Sequence, residues 1–207
     1  MRQALEPILK INNLQTHFFT KAGILKAVDG VSFEIAAGEI VGLVGESGSG
    51  KSITGFSVMG LVDPPGKIID GNINFKGKDL SALSNDQMQN IRGNRIAMIF
   101  QDPMMTLNPV LRIETQMIEA IQAHDGSISR EDARIRSRDT LGLVGISSPD
   151  ERLRAYPHQF SGGMRQRVSI AIAMLNRPDL IIADEPTTAL DVTIQGQVIS
   201  EMQKLCR

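Results

Sequence analysis

The chain of 207 residues is poor in several features that would assign a protein to a class. Its single cysteine, Cys206, excludes an intramolecular disulfide and a cysteine-rich metal site. Lys and Arg number 22 against 23 Asp and Glu, so the basic excess of a nucleic-acid binder is missing and we expect no nucleic-acid partner. No stretch approaches the roughly 18 apolar residues of a membrane-spanning helix, and no secretory signal follows Met1. These absences predict a soluble, cytoplasmic domain that reaches a membrane only through partners.

What the sequence does contain is a glycine-rich loop, Gly45-Glu46-Ser47-Gly48-Ser49-Gly50-Lys51-Ser52. The apolar run at 40–44 predicts a strand before it, and a helix is predicted from 52 to about 61. This context separates a phosphate-binding loop from a Gly/Ser-rich turn with an exposed lysine. Glycines let backbone N–H groups face phosphate oxygens, and the helix adds its positive end. We expect Lys51 to reach the β- and γ-phosphates and Ser52 to ligate Mg²⁺, so the loop predicts binding of a nucleoside triphosphate.

The rest of the chain interleaves strands with helices. Alternating or continuous apolar patterns predict strands at 8–19, 31–35, 68–75, 96–100 and 180–183. Helical periodicity predicts helices at 111–126, 129–143 and 164–175, and a last one from about 192. Ser84 and Gln87 fit a capping box that opens a short helix. Together these patterns predict an α/β core with a largely parallel sheet, into which a helical segment is inserted.

A second group of polar residues follows two of the buried strands. Asp184 and Glu185 come directly after the strand at 180–183, which is the form of a Walker B segment, and Gln101 follows the strand at 96–100. A terminal aspartate of a buried parallel strand can hold the hydration shell of Mg²⁺. The neighbouring Glu185 could polarise a water aimed at the γ-phosphate, which makes it the candidate catalytic residue.

These motifs, in this order, resemble those of ATP-binding cassette (ABC) proteins over essentially the whole chain. Residues 160–168 (Phe-Ser-Gly-Gly-Met-Arg-Gln-Arg-Val) resemble the family's signature motif, residues 184–191 its Walker B and D-loop, and Gln101 its Q-loop. The resemblance implies an α/β P-loop NTPase (RecA-like) nucleotide-binding domain with an antiparallel β subdomain and a helical insertion. A single domain, 1–207, would have its core and β subdomain at 1–101 and 164–207 and its helical subdomain at 102–163.

The resemblance also implies roles and cofactors. ATP and Mg²⁺ would bind at the 45–52 loop, with the metal held by Ser52, Gln101 and Asp184. Ser161, Gly162, Gly163 and Met164 would face the phosphate loop of a second cassette subunit, and Asp191 would lie in the D-loop. Phe160 and Met164 replace the usual Leu and Gln of the signature, which should alter packing and not binding.

A narrower resemblance is to the ATPases of dipeptide, oligopeptide and nickel permeases. Its segments are 27–33, 42–52, 99–104, 107–109 and 156–167. It implies an importer subunit on the cytoplasmic face of the inner membrane, with a second ATPase subunit (identical or paralogous), two membrane permease subunits and an extracytoplasmic solute-binding protein. An aromatic upstream usually stacks on adenine in the family. Phe19 is the candidate, with Phe18 as the alternative, although either could be a core strand phenylalanine.

Two parts of the family pattern are missing. His17, His124 and His158 all lie too early for the family's switch histidine and are interpreted as surface or loop residues. A C-terminal extension with a cysteine cluster is also absent. We therefore expect a cassette truncated at its C-terminus that binds ATP weakly and hydrolyses it poorly when isolated.

Other functions use the same motifs. Repair ATPases need zinc-binding cysteines, chromosome-organising ATPases need long heptad repeats, and paired-cassette translation factors need a second cassette. None of these features is present in the sequence. A soluble non-transport ATPase and a cassette that binds nucleotide without efficient turnover remain the alternatives to an importer subunit.

Overall fold

The structure is a computed structural model that describes residues 7–186 together with 195, 196 and 200. The described residues form two compact units. The first ends at Gln89 and the second begins at Asn90. The predicted last helix, Asp191 and Cys206 lie outside the described residues.

The first unit is built on an antiparallel sheet of four strands in the order β2-β1-β3-β4. The strands are β1 (Pro7–Thr20), β2 (Gly23–Ala36), β3 (Gly66–Phe75) and β4 (Lys78–Asp79). The inner strand β1 pairs with β2 on one side and β3 on the other. Its apolar residues Leu9 and Ile11 alternate with partly exposed neighbours, so one face of the strand is buried. This is the antiparallel β subdomain that the resemblance implies.

Two helices belong to the first unit, α1 (Lys51–Met59) and α2 (Asn85–Gln89). A buried hydrogen bond of 2.8 Å between the hydroxyls of Thr16 and Ser57 joins α1 to β1. The predicted capping box at α2 is confirmed. The Ser84 N–H donates to Oε1 of Gln87 (3.0 Å), and the Gln87 N–H donates to Oγ of Ser84 (3.3 Å).

Between residues 90 and 186, the second unit combines a parallel strand pair with four α-helices. Strand β5 (Ile96–Ile99) pairs in parallel with β6 (Leu180–Ala183), so that Ile99 lies opposite Ala183. The helices are α3 (Ile113–Gln122), α4 (Arg130–Leu143), α5 (Pro149–Leu153) and α6 (Gly162–Met174). A buried apolar cluster holds α3, α4 and α6 together, and the predicted inner face of α3 lies in it: Ile113, Met117, Ile118 and Ile121. The charged residues of α4 are all partly or fully exposed.

The prediction of a strand at 40–44 is wrong. These residues form no strand in the structure, and Ile40, Val41, Leu43 and Val44 are between 42% and 94% exposed. An apolar run predicts burial, but a strand also needs a neighbour that takes up its hydrogen bonds. No strand in the described part of the chain pairs with this segment. The sheet that the sequence predicts as largely parallel is therefore limited, in the described residues, to the pair β5–β6.

The interpretation of His17 as a surface or loop residue is also wrong. His17 lies in β1, the inner strand between β2 and β3, and is only 5% exposed. Its Nε2 lies 3.4 Å from Oδ1 of Asp29. A hydrogen bond from Lys26, together with that of His17, holds the pKa of Asp29 below its ordinary value. His124 and His158 do lie outside the α-helices and strands, as expected.

No helix among the described residues is both long and apolar enough to span a membrane.

Candidate functional site

The glycine-rich loop of the first unit closes around the ammonium group of Lys51. Nζ of Lys51 donates to the carbonyl oxygens of Gly45 (2.8 Å) and Glu46 (2.7 Å). The Ser49 N–H donates to the carbonyl oxygen of Glu46 at 3.1 Å, which makes the loop a tight turn. Residues 41–49 are exposed. The loop thus presents a fixed positive charge to any anion that approaches it.

Helix α1 begins directly at the end of this loop. Gly50 is its N-cap residue and has φ 92° and ψ 7°, a left-handed conformation. A Cβ atom at Gly50 would lie 2.1 Å from the carbonyl oxygen of Ala27, so the backbone of β2 leaves no room for a side chain there. No acidic residue occupies the first turn of α1, so no carboxylate side chain there offsets the positive end of the helix dipole.

A second group of candidate residues lies at the carboxyl ends of β5 and β6. The Asp184 N–H donates to the carbonyl oxygen of Ile99 at 2.9 Å, which extends the strand pairing by one step. Beyond it, Nε2 of Gln101 donates to Oε2 of Glu185 at 2.9 Å. The structure thus brings Gln101, Asp184 and Glu185 together, because parallel strands end at the same edge of a sheet.

The backbone turns sharply at Glu185. This residue has φ 47°, in the left-handed region that non-glycine residues rarely adopt. Such a conformation is strained and persists only where surrounding contacts hold it. One of these contacts is a hydrogen bond of 2.9 Å from Nε2 of Gln166, in α6, to the carbonyl oxygen of Pro186. Gln166 is not among the site residues predicted from the sequence, although a glutamine among the apolar residues of a buried helix face is a signal for such a role.

The signature residues form the start of α6. Ser161 is the N-cap, and its hydroxyl accepts a hydrogen bond of 3.3 Å from the Met164 N–H. Gly162 and Gly163 are the first helical residues, and the first turn contains no acidic side chain. Phe160 is buried and Met164 packs against the same apolar cluster, so the two unusual residues of the signature serve packing.

The two aromatic candidates for adenine contact differ in exposure. Phe19 lies near the end of the β1–β2 hairpin and is 45% exposed. Phe18 is partly buried, and its ring leaves no space for a Cβ at Gly66, since the nearest ring carbon would be 2.7 Å away. Phe19 is therefore the more exposed of the two rings.

The residues expected to hold a metal are oxygen donors: the Ser52 hydroxyl, the Gln101 amide and the Asp184 carboxylate. Within the described ranges, no group of three or more His, Cys, Asp or Glu residues could hold a metal ion by itself. Mg²⁺ usually takes one or two protein carboxylates and completes its shell with phosphate oxygens and waters. Ser52 lies in the first unit and Gln101 and Asp184 lie in the second, and each carries an oxygen donor of the kind that Mg²⁺ prefers.

Comparison with known proteins agrees with this geometry. Residues 28–188 match the sequence profile of the family described as ABC transporter, and the chain belongs to that family.

The chain is 52% identical over 204 residues to the oligopeptide transport ATP-binding protein AppD of Bacillus subtilis, covering 98% of this chain and 62% of that protein. It is 48% identical over 198 residues to the dipeptide transport ATP-binding protein DppD of Escherichia coli, covering 96% of this chain and 60% of that one. The chain thus spans about three fifths of the length of these relatives.

Solved structures show the same fold. The ATP-binding cassette MJ0796, in a dimeric post-hydrolysis state bound to ADP and Pi, superposes with a TM-score of 0.87 at 30% identity, covering 96% of this chain and 83% of that one. A second dimeric structure of MJ0796, a bacterial ABC transporter cassette, gives a TM-score of 0.86 at 30% identity, with 96% and 82% coverage. The fold is that of an ABC ATPase cassette, as the sequence predicts.

The close approach of Gly50 to β2 generates a prediction. Gly48→Ala should cost about 1 kcal/mol in the free energy of unfolding, because Gly48 has φ 81° but open space around its Cβ position. Gly50→Ala should cost clearly more, since α1 or β2 must also move, and should weaken ATP binding. Urea unfolding and calorimetric titration of both variants measure these effects. Equal losses of stability in the two variants would contradict the steric account.

Proposed function

We propose that this chain is the ATP-binding subunit of an ABC importer and hydrolyses ATP to drive uptake of peptide-type solutes. The observation that carries the proposal is the loop at 45–50, which surrounds the Lys51 ammonium at the start of α1. The relatives at about half identity are named as oligopeptide and dipeptide transport proteins, which supports the solute class. The same names favour an importer subunit over a soluble non-transport ATPase.

ATP binding follows from the charges and donors of the loop. The phosphate oxygens would take the place of the Gly45 and Glu46 carbonyls as partners of Lys51, because an anion attracts an ammonium more strongly than a neutral carbonyl does. The backbone N–H groups at the start of α1 add donors and the positive end of the helix dipole. Mg²⁺, held by Ser52, Gln101 and Asp184, would neutralise charge on the β- and γ-phosphates.

Hydrolysis is assigned to Glu185. Its carboxylate would accept a proton from a water that attacks the γ-phosphorus; the bond to the β–γ bridging oxygen breaks, and ADP and phosphate leave. The hydrogen bond from Gln101 orients that carboxylate.

Glu185→Gln in the transporter complex should lower kcat about 100-fold or more while ATP still binds, because an amide cannot act as the base. Normal turnover by this variant, measured by phosphate release, would assign the base to another residue.

The start of α6 supports a second ATPase subunit as a partner. Ser161 and the N–H groups of Gly162 and Gly163 form a second anion-binding helix terminus, which would contact the γ-phosphate held by a second ATPase subunit. The dimeric state of the two similar cassettes supports this pairing. Permease subunits would hold both cassettes at the cytoplasmic face of the membrane, and co-purification of membrane proteins with the chain tests this. Co-purification of ribosomes or DNA instead would oppose it.

Removal of the Lys51 ammonium tests nucleotide binding directly. Hydrogen bonds to charged groups contribute about 1.5–3 kcal/mol, so Lys51→Ala should weaken ATP binding about 10- to 100-fold. Lys78→Ala is the matched control, since Lys78 is an exposed lysine at the short strand β4 of the same unit. Calorimetric titration with ATP compares the two variants. Equal affinities would contradict the assignment of the loop.

The exposed ring of Phe19 is the proposed platform for adenine. Stacking of a base on an aromatic ring contributes about 1–3 kcal/mol, so Phe19→Ala should weaken ATP binding about fivefold or more. Binding of tripolyphosphate, which has no base, should not change. Ile24→Ala is the control, because Ile24 lies opposite Phe19 on β2 and is also exposed, but cannot stack on a base. If Phe19→Ala leaves ATP affinity unchanged, adenine binds elsewhere.

A further inference from the structure

Gln166 is a fully buried polar residue in the middle of a helix whose other buried side chains are mostly apolar. Its Nε2 donates a hydrogen bond of 2.9 Å to the carbonyl oxygen of Pro186, which lies 20 positions further along the chain. This bond joins α6 to the turn that follows β6. Both partners belong to the second unit.

Stability alone does not explain a glutamine at this position. Its Oε1 is buried and has no hydrogen-bond partner among the described residues. A buried acceptor without a partner destabilises the folded state, whereas an apolar residue of the same size would avoid this loss. Among the described residues, the bond from Nε2 to Pro186 is the interaction that distinguishes glutamine from methionine at this site.

The residue before Pro186 is the candidate base. Glu185 has φ 47°, and a strained conformation of this kind persists only where surrounding contacts hold it. On the side-chain side, Nε2 of Gln101 donates to its carboxylate. On the backbone side, Gln166 holds the next carbonyl group. The two glutamine amides thus hold the Glu185–Pro186 turn from opposite ends.

We propose that Gln166 is a positioning residue that fixes the Glu185–Pro186 turn and, through it, the direction of the Glu185 carboxylate. The proposal rests on the proposed function, in which Glu185 activates water. Helix α6 then has two roles. Ser161 caps its N-terminus, which is the candidate anion-binding site, and Gln166, five residues later, holds the turn after β6. Any displacement of α6 is then passed to the backbone next to the base.

The test compares Gln166→Met with Ser169→Ala in the transporter complex. Methionine has a similar size but cannot donate a hydrogen bond. Gln166→Met should lower kcat about tenfold, leave KM for ATP within about twofold, and leave the thermal unfolding midpoint unchanged or raised, since the unpaired acceptor is removed. Ser169 is the matched control: it is buried on the same helix, its hydroxyl has no partner among the described residues, and it has no bond to Pro186. Ser169→Ala should keep kcat.

Gln166→Glu adds a second measurement, the pH dependence of kcat, which would not change if Gln166 only stabilised the fold. The introduced carboxyl can donate to the Pro186 carbonyl only when it is protonated, and burial raises its pKa. The kcat of this variant, relative to the unmodified protein, should therefore increase as the pH is lowered from about 8 to about 6.

The outcomes separate this proposal from the function on which it rests. An unchanged kcat in Gln166→Met, or a kcat that falls only in parallel with the unfolding midpoint, overturns the positioning role. A Glu185→Gln variant is measured beside it. If Glu185→Gln turns over normally, the proposed function fails together with the proposal. If Glu185→Gln is inactive while Gln166→Met is normal, only the role of Gln166 fails.

Discussion

The start of α1 is fixed by a contact that only a glycine allows. Gly50 lies so close to the carbonyl oxygen of Ala27 that a Cβ would stand 2.1 Å away. The preceding loop turns within a few residues around the Lys51 ammonium. The chemistry proposed for the first unit depends on this constraint, because it sets a positive charge and a helix N-terminus side by side.

In the second unit the corresponding constraint is the parallel pairing of β5 with β6. It brings the residues that follow the two strands, Gln101 and Glu185, within hydrogen-bond distance. The turn at Glu185 is strained, and α6 supplies part of what holds it. The start of α6 is itself a candidate anion-binding site. A movement of this helix would therefore change the position of Glu185, the candidate base, and with it the proposed activity.

Features with a local cause could be predicted from the sequence. The capping box at Ser84, the inner face of α3 and the strand 180–183 follow from side-chain chemistry and periodicity within a few residues. Features set by distant parts of the chain could not. The run 40–44 is apolar but unpaired in the described structure, and His17 lies in an inner strand that pairs with β3, about 50 residues further along the chain. Within the candidate site, the loop and the carboxylates at the strand ends could be predicted. The left-handed turn at Glu185 and the hydrogen bond from Gln166 to Pro186 could not, because they arise from tertiary contacts.

Hydrogen exchange of the backbone amides, with and without ATP and Mg²⁺, tests the central claim most directly. The claim is that the 45–52 loop holds the triphosphate and that the start of α6 contacts the nucleotide of a second subunit. In the transporter complex, exchange should slow at 45–52 and at 161–165 when ATP is added, because bound phosphate oxygens hold those N–H groups. Unchanged exchange at 45–52 in the presence of saturating ATP would contradict the account.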